Sequence, residues 1–280
     1  MENIPIFFTH LGYSPYIEKT IAQAKKLNNR VILLGDEDNK DIDVEHYACL
    51  DLPSADIGHL AGRYDHMSTG HHTFEWICIL RWFLLKNFLV KNDIEKCFYA
   101  DTDIMIYSNI TEEMKKYEDK KMAIIYPSEQ TEYRWAASGH SSYWTKESLI
   151  DFCDFVLNMY SSEEGRSKLR EKWNYHRNNK IPGGICDMSL IYLYYNQNEG
   201  KDIGILSEVT EGSAYDDNIN SSENRYKDEY AMMGRFKNIK WQNGVPYCYN
   251  LMQEDWIRFN TLHFQGTSGK NYMDQIKNDS

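Results

Sequence analysis

Proline is scarce in this chain, six in 280 residues, and no internal repeat or low-complexity linker interrupts it. That composition excludes a disordered protein and offers no clean domain boundary. Basic charge is also short. Thirty-one Lys and Arg against 42 Asp and Glu give a net charge of −11 and a pI near 5.3, which argues against nonspecific nucleic-acid binding. An anionic substrate would need a local cationic site or a bound metal. Cysteine pairs are missing too: the six cysteines, at 49, 78, 97, 153, 186 and 248, form no C-x-x-C motif. Four sit inside apolar runs and read as small buried hydrophobes, so reduced thiols and a cytoplasmic location are expected. Long apolar runs are absent as well. Trp76–Val90 is broken by Arg81 and Lys86 and is too short to span a bilayer, and Met1–Pro5 lacks the basic start and apolar core of a signal peptide.

With 42% hydrophobic residues, the chain can bury a sizeable core. Ile4–Phe8 predicts a buried strand ending near Thr9. Tyr16, Ile17, Thr20, Ile21 and Ala24 recur at helical spacing behind Pro15, and Arg30–Leu34 predicts a second strand. Strand, helix, strand is a βαβ opening, which builds parallel sheets whose ligands bind beyond the carboxyl ends of the strands. The expected fold is therefore α/β, and the turn after Thr9 is a candidate ligand edge. Residues 51–73 read as loop, with His59, His66, His71 and His72 taken as solvated rather than zinc-binding, because no cysteine or ordered ligand spacing accompanies them. Phe74–Phe88 predicts an apolar helix, with Phe74 inside and Arg81 in its middle, where a charge must pair or reach water.

The centre of the sequence is Lys96–Ile106, in which Asp101 and Asp103 stand between two apolar runs. In an extended backbone the two carboxylates would face the same way, a pattern suited to Mg²⁺ or Mn²⁺ bridging substrate phosphates. A plain strand-closing turn is the alternative. Tyr133–Trp144, including Trp135, Ser138 and His140, has the aromatics and small polar groups of a sugar pocket, or of an ordinary core. Residues 165–180 carry six basic residues against Glu171 alone, which makes them either a solvated helix face or a docking surface for an anionic acceptor or lipid head group. Gly183-Gly184 leads to Asp187 at a helix start, where a carboxylate can cap the helix or serve a pocket. Residues 211–230 read as a long loop or lid, and Ile239–Tyr247 as a hairpin turned at Asn243-Gly244. Near the end, His263 closes a strand, and a glycine-rich turn brings Gly266 and then Lys270. An imidazole of this kind suits Mn²⁺-like ions, while the glycines and lysine suit a diphosphate.

In this order the motifs resemble those of GT-A-fold glycosyltransferases, specifically bacterial sugar transferases with a central D-x-D motif and a C-terminal H-x-x-G tail. The resemblance rests on the opening strand through Thr9, Arg81, Phe98–Asp103, Ser138–Ser142, Gly183–Ser189 and His263–Lys270. It implies one GT-A (Rossmann-like) domain over residues 1–280, with a mostly parallel central sheet flanked by helices. Residues 1–126 would be the nucleotide-sugar and metal half, and 127–280 the acceptor half plus the diphosphate tail. It further implies a nucleotide-diphospho-sugar donor, usually UDP-linked, and Mn²⁺ or Mg²⁺ held by Asp101, Asp103 and His263. Lys270, Gly266 and Arg81 would hold the diphosphate, with Thr9 near the base. Asp187 would be the catalytic or acceptor-side group, with Trp135, Ser138 and His140 nearby. The acceptor would be a glycan or glycolipid in polysaccharide biosynthesis, reached at the inner face of a membrane if residues 165–180 dock there. Two departures leave the stereochemistry open: Met188 replaces a glutamine of retaining relatives, and one extra residue separates Gly266 from Lys270. The competing readings are a D-x-D phosphohydrolase with Asp101 as nucleophile, and a non-catalytic nucleotide-sugar-binding protein of the same fold.

Overall fold

The computed structural model describes residues 3–275. The fold opens as expected: β1 (Ile6–Thr9), α1 (Tyr16–Lys25, with Pro15 at its N-cap) and β2 (Val31–Gly35) form a parallel βαβ unit. β3 (Glu45–Ala48) extends the sheet, and a short α2 (Ala55–Ala61), capped by Ser54, occupies part of the stretch read as loop. α3 (His72–Lys91) leads to β4 (Lys96–Ala100), and the chain then turns into β5 (Ile104–Ile106), the single-turn α4 (Ile110–Glu113) and β6 (Met122–Ile125). Next come β7 (Ser138–Thr145), α5 (Lys146–Ser161), α6 (Glu163–Asn179), α7 (Asp187–Gln197) and β8 (Ile203–Ile205). The last part holds β9 (Ser213–Tyr215), the small pair β10 (Met232–Met233) and β11 (Phe236–Lys237), β12 (Ile239–Gln242), β13 (Val245–Asn250), β14 (Asp255–His263) and α8 (Gly266–Met273).

The central sheet has seven strands in the order β3-β2-β1-β4-β7-β6-β8. It is mostly parallel; β7 runs against its neighbours. Its apolar runs are continuous because both faces are covered. Phe7, Ile32, Tyr99 and Trp144 join Trp82, Phe83 and Phe152 in a core beneath α3 and α5. Phe8, Leu33 and Phe98 point the other way, onto Ile17 and Ile21 of α1. A second sheet, β12-β13-β14-β5, hangs from the turn after β4, because β5 pairs with β14 at Ile104↔His263. The β12–β13 hairpin turns at Asn243-Gly244, both at positive φ, as that dipeptide demands.

Three expectations need correction. Phe74 is 65% exposed, since it lies on the first turn of α3, ahead of the part that meets the sheet. Residues 211–230 are not a lid. Asp216, Asn224 and Glu229 are buried, and Asn224 Nδ2 donates to Ser207 O and Tyr215 O at 2.8 and 3.1 Å, which fixes the segment as an inner wall. Lys172, counted among the basic residues of 165–180, points inward and is buried.

The start of α7 is strapped to the segment before α3. Thr69 N donates to Gly183 O (3.0 Å), and Ile185 N to Met67 O (2.7 Å). Gly184 makes this approach possible: its φ is +149°, and a Cβ there would lie 2.2 Å from Met67 O. Gly184→Ala should cost roughly 2 kcal/mol or more in chemical denaturation, since both backbone strain and collision act; an unchanged midpoint would show that the strap yields freely.

Candidate active site at the carboxyl ends of β1 and β4

β1 pairs with β2 on one side and β4 on the other, so strand order reverses between β1 and β4, where open α/β sheets bind ligands. Thr9 ends β1, and its buried Oγ1 has no partner among the described residues. His10 Nδ1 lies 3.0 Å from Thr102 Oγ1, which joins the two strand ends.

The D-x-D pair is a turn rather than extended strand. Ile104 N donates to Asp101 O at 2.9 Å, and Asp101 N to His140 O of β7 at 2.8 Å. The turn sends the two carboxylates to different partners. Asp101 Oδ1 accepts from Arg81 and from Tyr99 OH (3.0 Å), while Asp103 Oδ2 accepts from Lys270 Nζ (2.8 Å).

Arg81 is the hub of the first group. Its Nη1 reaches Asp101 and Tyr99, and its Nη2 donates to Asp187 Oδ2 at 2.5 Å. Asp187, the first residue of α7, also takes Trp82 Nε1 on Oδ2 (3.3 Å) and Met188 N on Oδ1 (2.9 Å). Burial opposes the guanidinium charge, but Asp101, Tyr99 and Asp187 around it raise the Arg81 pKa further above its ordinary value. Burial pushes the Asp101 carboxyl above the usual range, with Arg81 pulling it down and Asp103 adding to the rise. Arg81 Nε is buried without a partner among the described residues. With its two terminal nitrogens engaged by Asp101, Tyr99 and Asp187, Arg81 is a carboxylate clamp before it is anything else.

The second group gathers at the end of β14. His263 Nδ1 lies 2.5 Å from the carbonyl of Asp217, which can only accept, so the proton sits on Nδ1. Its Nε2 lies on the other side of the ring, 3.6 Å from Asp103 Oδ1. The His140 ring packs tilted against His263 (ring centroids 4.1 Å apart, planes at 34°), and burial, with His263 adding, drives the His140 pKa well below the usual range. Ser138 Oγ lies 2.7 Å from His140 Nδ1. Gly266, at φ +69° and with open space where a Cβ would go, begins α8. Lys270 lies one helical turn later, on the same face, so the extra residue in the tail is absorbed by the helix.

Sequence reasoning missed the support behind His263. Asp216 Oδ2 accepts His263 N (3.0 Å), and Asp216 Oδ1 pairs with Lys237 Nζ at 2.6 Å, both side chains at 0% exposure. Burial pushes the neighbouring Asp217 up to about 6, with Lys237 and His263 opposing. Asp216 and Asp217 stood in a stretch read as polar loop, and Lys237 in the unassigned residues between that stretch and the hairpin; the one available signal was a second acidic pair followed by Ile219. Trp135 lies apart from this cluster. At φ +42°, its ring meets Lys168 and Lys172 and stacks on Tyr192. Lys172 in turn braces the start of α7, donating to Ser189 Oγ (2.7 Å) and Arg134 O (3.1 Å).

Among the described residues, no three His, Cys, Asp or Glu side chains converge closely enough to hold a metal by themselves. Asp101, drawn onto Arg81, stands off from Asp103 and His263. The Asp103 Oδ1 and His263 Nε2 donors, with Asp101 Oδ2 free of hydrogen bonds to the described residues, still suit an ion that completes its shell with water and phosphate oxygens.

No protein-family model matches the chain, and no curated protein matches it by sequence. In three-dimensional structure the chain is similar to mouse xyloside xylosyltransferase 1 in its apo form, at 8% identity and a TM-score of 0.51, over 72% of this chain and 84% of that one. The chain has a GT-A fold. That likeness, with the mixed sheet and its flanking helices, establishes the architecture and leaves the chemistry to be argued from the site.

Two outcomes test the site's supports. Lys237→Met leaves Asp216 buried without its counter-charge and should cost about 3–5 kcal/mol in denaturant unfolding; a loss under 1 kcal/mol would mean that Asp216 reaches water. Burial lowers the Lys172 pKa to about 8 from 10.5. The unfolded state therefore binds more protons than the folded one between those values, and stability gained through this lysine rises with pH across that window. Relative to Lys172→Met, the wild type should gain up to about 1.4 kcal/mol per pH unit from pH 8 upward; a flat difference would refute it.

Proposed function

We propose that this protein is a glycosyltransferase that moves a sugar from a nucleotide-diphospho-sugar, UDP-linked by resemblance, to a glycan or glycolipid acceptor. The observation that carries the reading is the pair of clamps at one sheet edge, Asp101–Arg81–Asp187 beside Asp103–His263–Lys270. The fold shared with a xylosyltransferase supports it.

In this reading Lys270 and the open backbone at Gly266 meet the diphosphate, the lysine exchanging Asp103 for phosphate oxygens. Asp103, His263 and Asp101 would hold Mn²⁺ or Mg²⁺, which, when bound, supplies positive charge to the departing diphosphate. His263 is pre-oriented for this, because its proton is committed to Asp217 O. Asp187 has both oxygens hydrogen-bonded already, so it orients a sugar hydroxyl rather than removing a proton. His140 and Ser138 form the wall behind His263. Thr9, the last residue of β1, has a buried, unpartnered Oγ1, and the nucleotide base would lie beyond that strand end. A phosphohydrolase would attack through Asp101 Oδ2, the oxygen free of hydrogen bonds to the described residues, and would turn over a phosphate ester without any sugar nucleotide.

Calorimetry with Mn²⁺ and UDP provides the test. Asp103→Ala and His263→Ala should each weaken binding at least about tenfold with the melting temperature kept, and unchanged affinity in both would sink the assignment. Asp187→Asn should spare that binding and slow donor turnover about a hundredfold. Turnover of a generic phosphate ester without any sugar nucleotide would favour the hydrolase.

A further inference from the structure

α6 carries a one-sided charge pattern that the transfer site does not use. Gly165, Leu169, Lys172 and His176 face inward. Arg166, Arg170 and Arg177, at spacings of four and seven, fall on one outer stripe with Trp173 between them. Arg177 lies over the Trp173 ring at 5.9 Å, and Arg170 is 3.6 Å from Asp65. Among the described residues Arg166, Arg177 and the helix-ending Lys180 have no carboxylate partner. Of the acids of this helix, Glu163 and Glu164 lie in its first turn, where they suit the dipole, and Glu171 is 3.9 Å from Lys168; Glu163 and Glu171 also border the surface depression lined by Arg166 and Arg170.

The stripe runs into an apolar tip. Ile181 is 38% exposed directly after Lys180, and Met188 is 37% exposed next to Asp187. Phe74, 65% exposed, lies on the first turn of α3, shortly after Thr69, whose backbone and side chain are strapped to Gly183. A basic stripe thus leads through Lys180 to the exposed Ile181, on the segment that goes on to Asp187 and the exposed Met188, in a protein whose net charge is −11.

We propose that this surface docks on an anionic phospholipid bilayer, the arginines and Lys180 meeting lipid phosphates while Phe74, Ile181 and Met188 enter the interface. Charge complementarity selects the occupant: guanidinium groups pair bidentately with phosphate. The apolar tip favours a bilayer over a soluble polyanion, which offers nothing apolar to cover it. The docking surface stands independently of the transferase activity; with both present, Asp187 would work at the membrane face, on a lipid-borne acceptor.

Flotation with phosphatidylcholine vesicles, with and without phosphatidylglycerol, tests it. The wild type should bind only the anionic vesicles and release in high salt. Each arginine replaced should lower partitioning about fivefold, and the triple Arg166→Gln, Arg170→Gln, Arg177→Gln variant about a hundredfold. Phe74→Ser with Ile181→Ser should weaken binding while leaving its salt dependence. Melting temperatures would confirm folding, which these exposed changes should leave intact. Equal partitioning of wild type and triple variant, or binding to dextran sulfate with none to vesicles, would overturn the proposal. Mn²⁺–UDP calorimetry on the same proteins separates the two readings: lost vesicle binding with retained Mn²⁺–UDP binding removes only the docking surface, and the converse removes only the donor site.

Discussion

A buried guanidinium between two carboxylates is the constraint around which this molecule is arranged. Arg81 cannot stay charged in the core without counter-charges, and Asp101 and Asp187 arrive from separate parts of the sequence to supply them. Three elements are thereby fixed to one another: the middle of α3, the end of β4 and the first residue of α7. Tyr99 and Trp82 complete the hydrogen bonds, so that each terminal nitrogen of Arg81 ends on an oxygen. Breaking one limb would strand the others without compensation. A centre of this kind holds its geometry before any ligand binds.

The same logic repeats on the other side of the D-x-D turn. The fully buried Asp216–Lys237 pair anchors the backbone of His263, and Asp217 O fixes its ring. β5 and β14 carry this second group because the chain leaves the central sheet at Asp101 and enters the smaller sheet at Ile104. The turn between Asp101 and Asp103 is therefore a joint between two sheets. One carboxylate belongs to each: Asp101 to the Arg81 clamp, Asp103 to His263 and Lys270.

Much of this was legible along the sequence. Tyr16–Lys25 declared itself by helical spacing, Ile4–Phe8 and Arg30–Leu34 by short apolar runs, and the β12–β13 hairpin by Asn243-Gly244. Phe98–Asp103 announced a buried strand ending in acids. What misled was local composition. Residues 211–230 are polar, yet Asn224 and Asp216 turn that polarity inward to bind backbone, which no count of Asn, Asp and Ser reveals. Phe74 looked like core and lies outside, because helical position and not hydrophobicity decides which face meets the sheet.

The sequence by itself determined the α/β order, the absence of any helix long and apolar enough to cross a membrane among the described residues, and which residues could bear the chemistry. Periodicity and composition are local properties, and local properties survive in a linear string. Only the tertiary structure decided that Arg81 belongs to Asp101 and Asp187, that Lys237 is buried behind His263, and that Lys172 faces inward while Arg166, Arg170 and Arg177 face out. Those partners lie up to about a hundred residues apart, and charge pairing in a low-dielectric interior depends on distance through space, on which spacing along the sequence is silent.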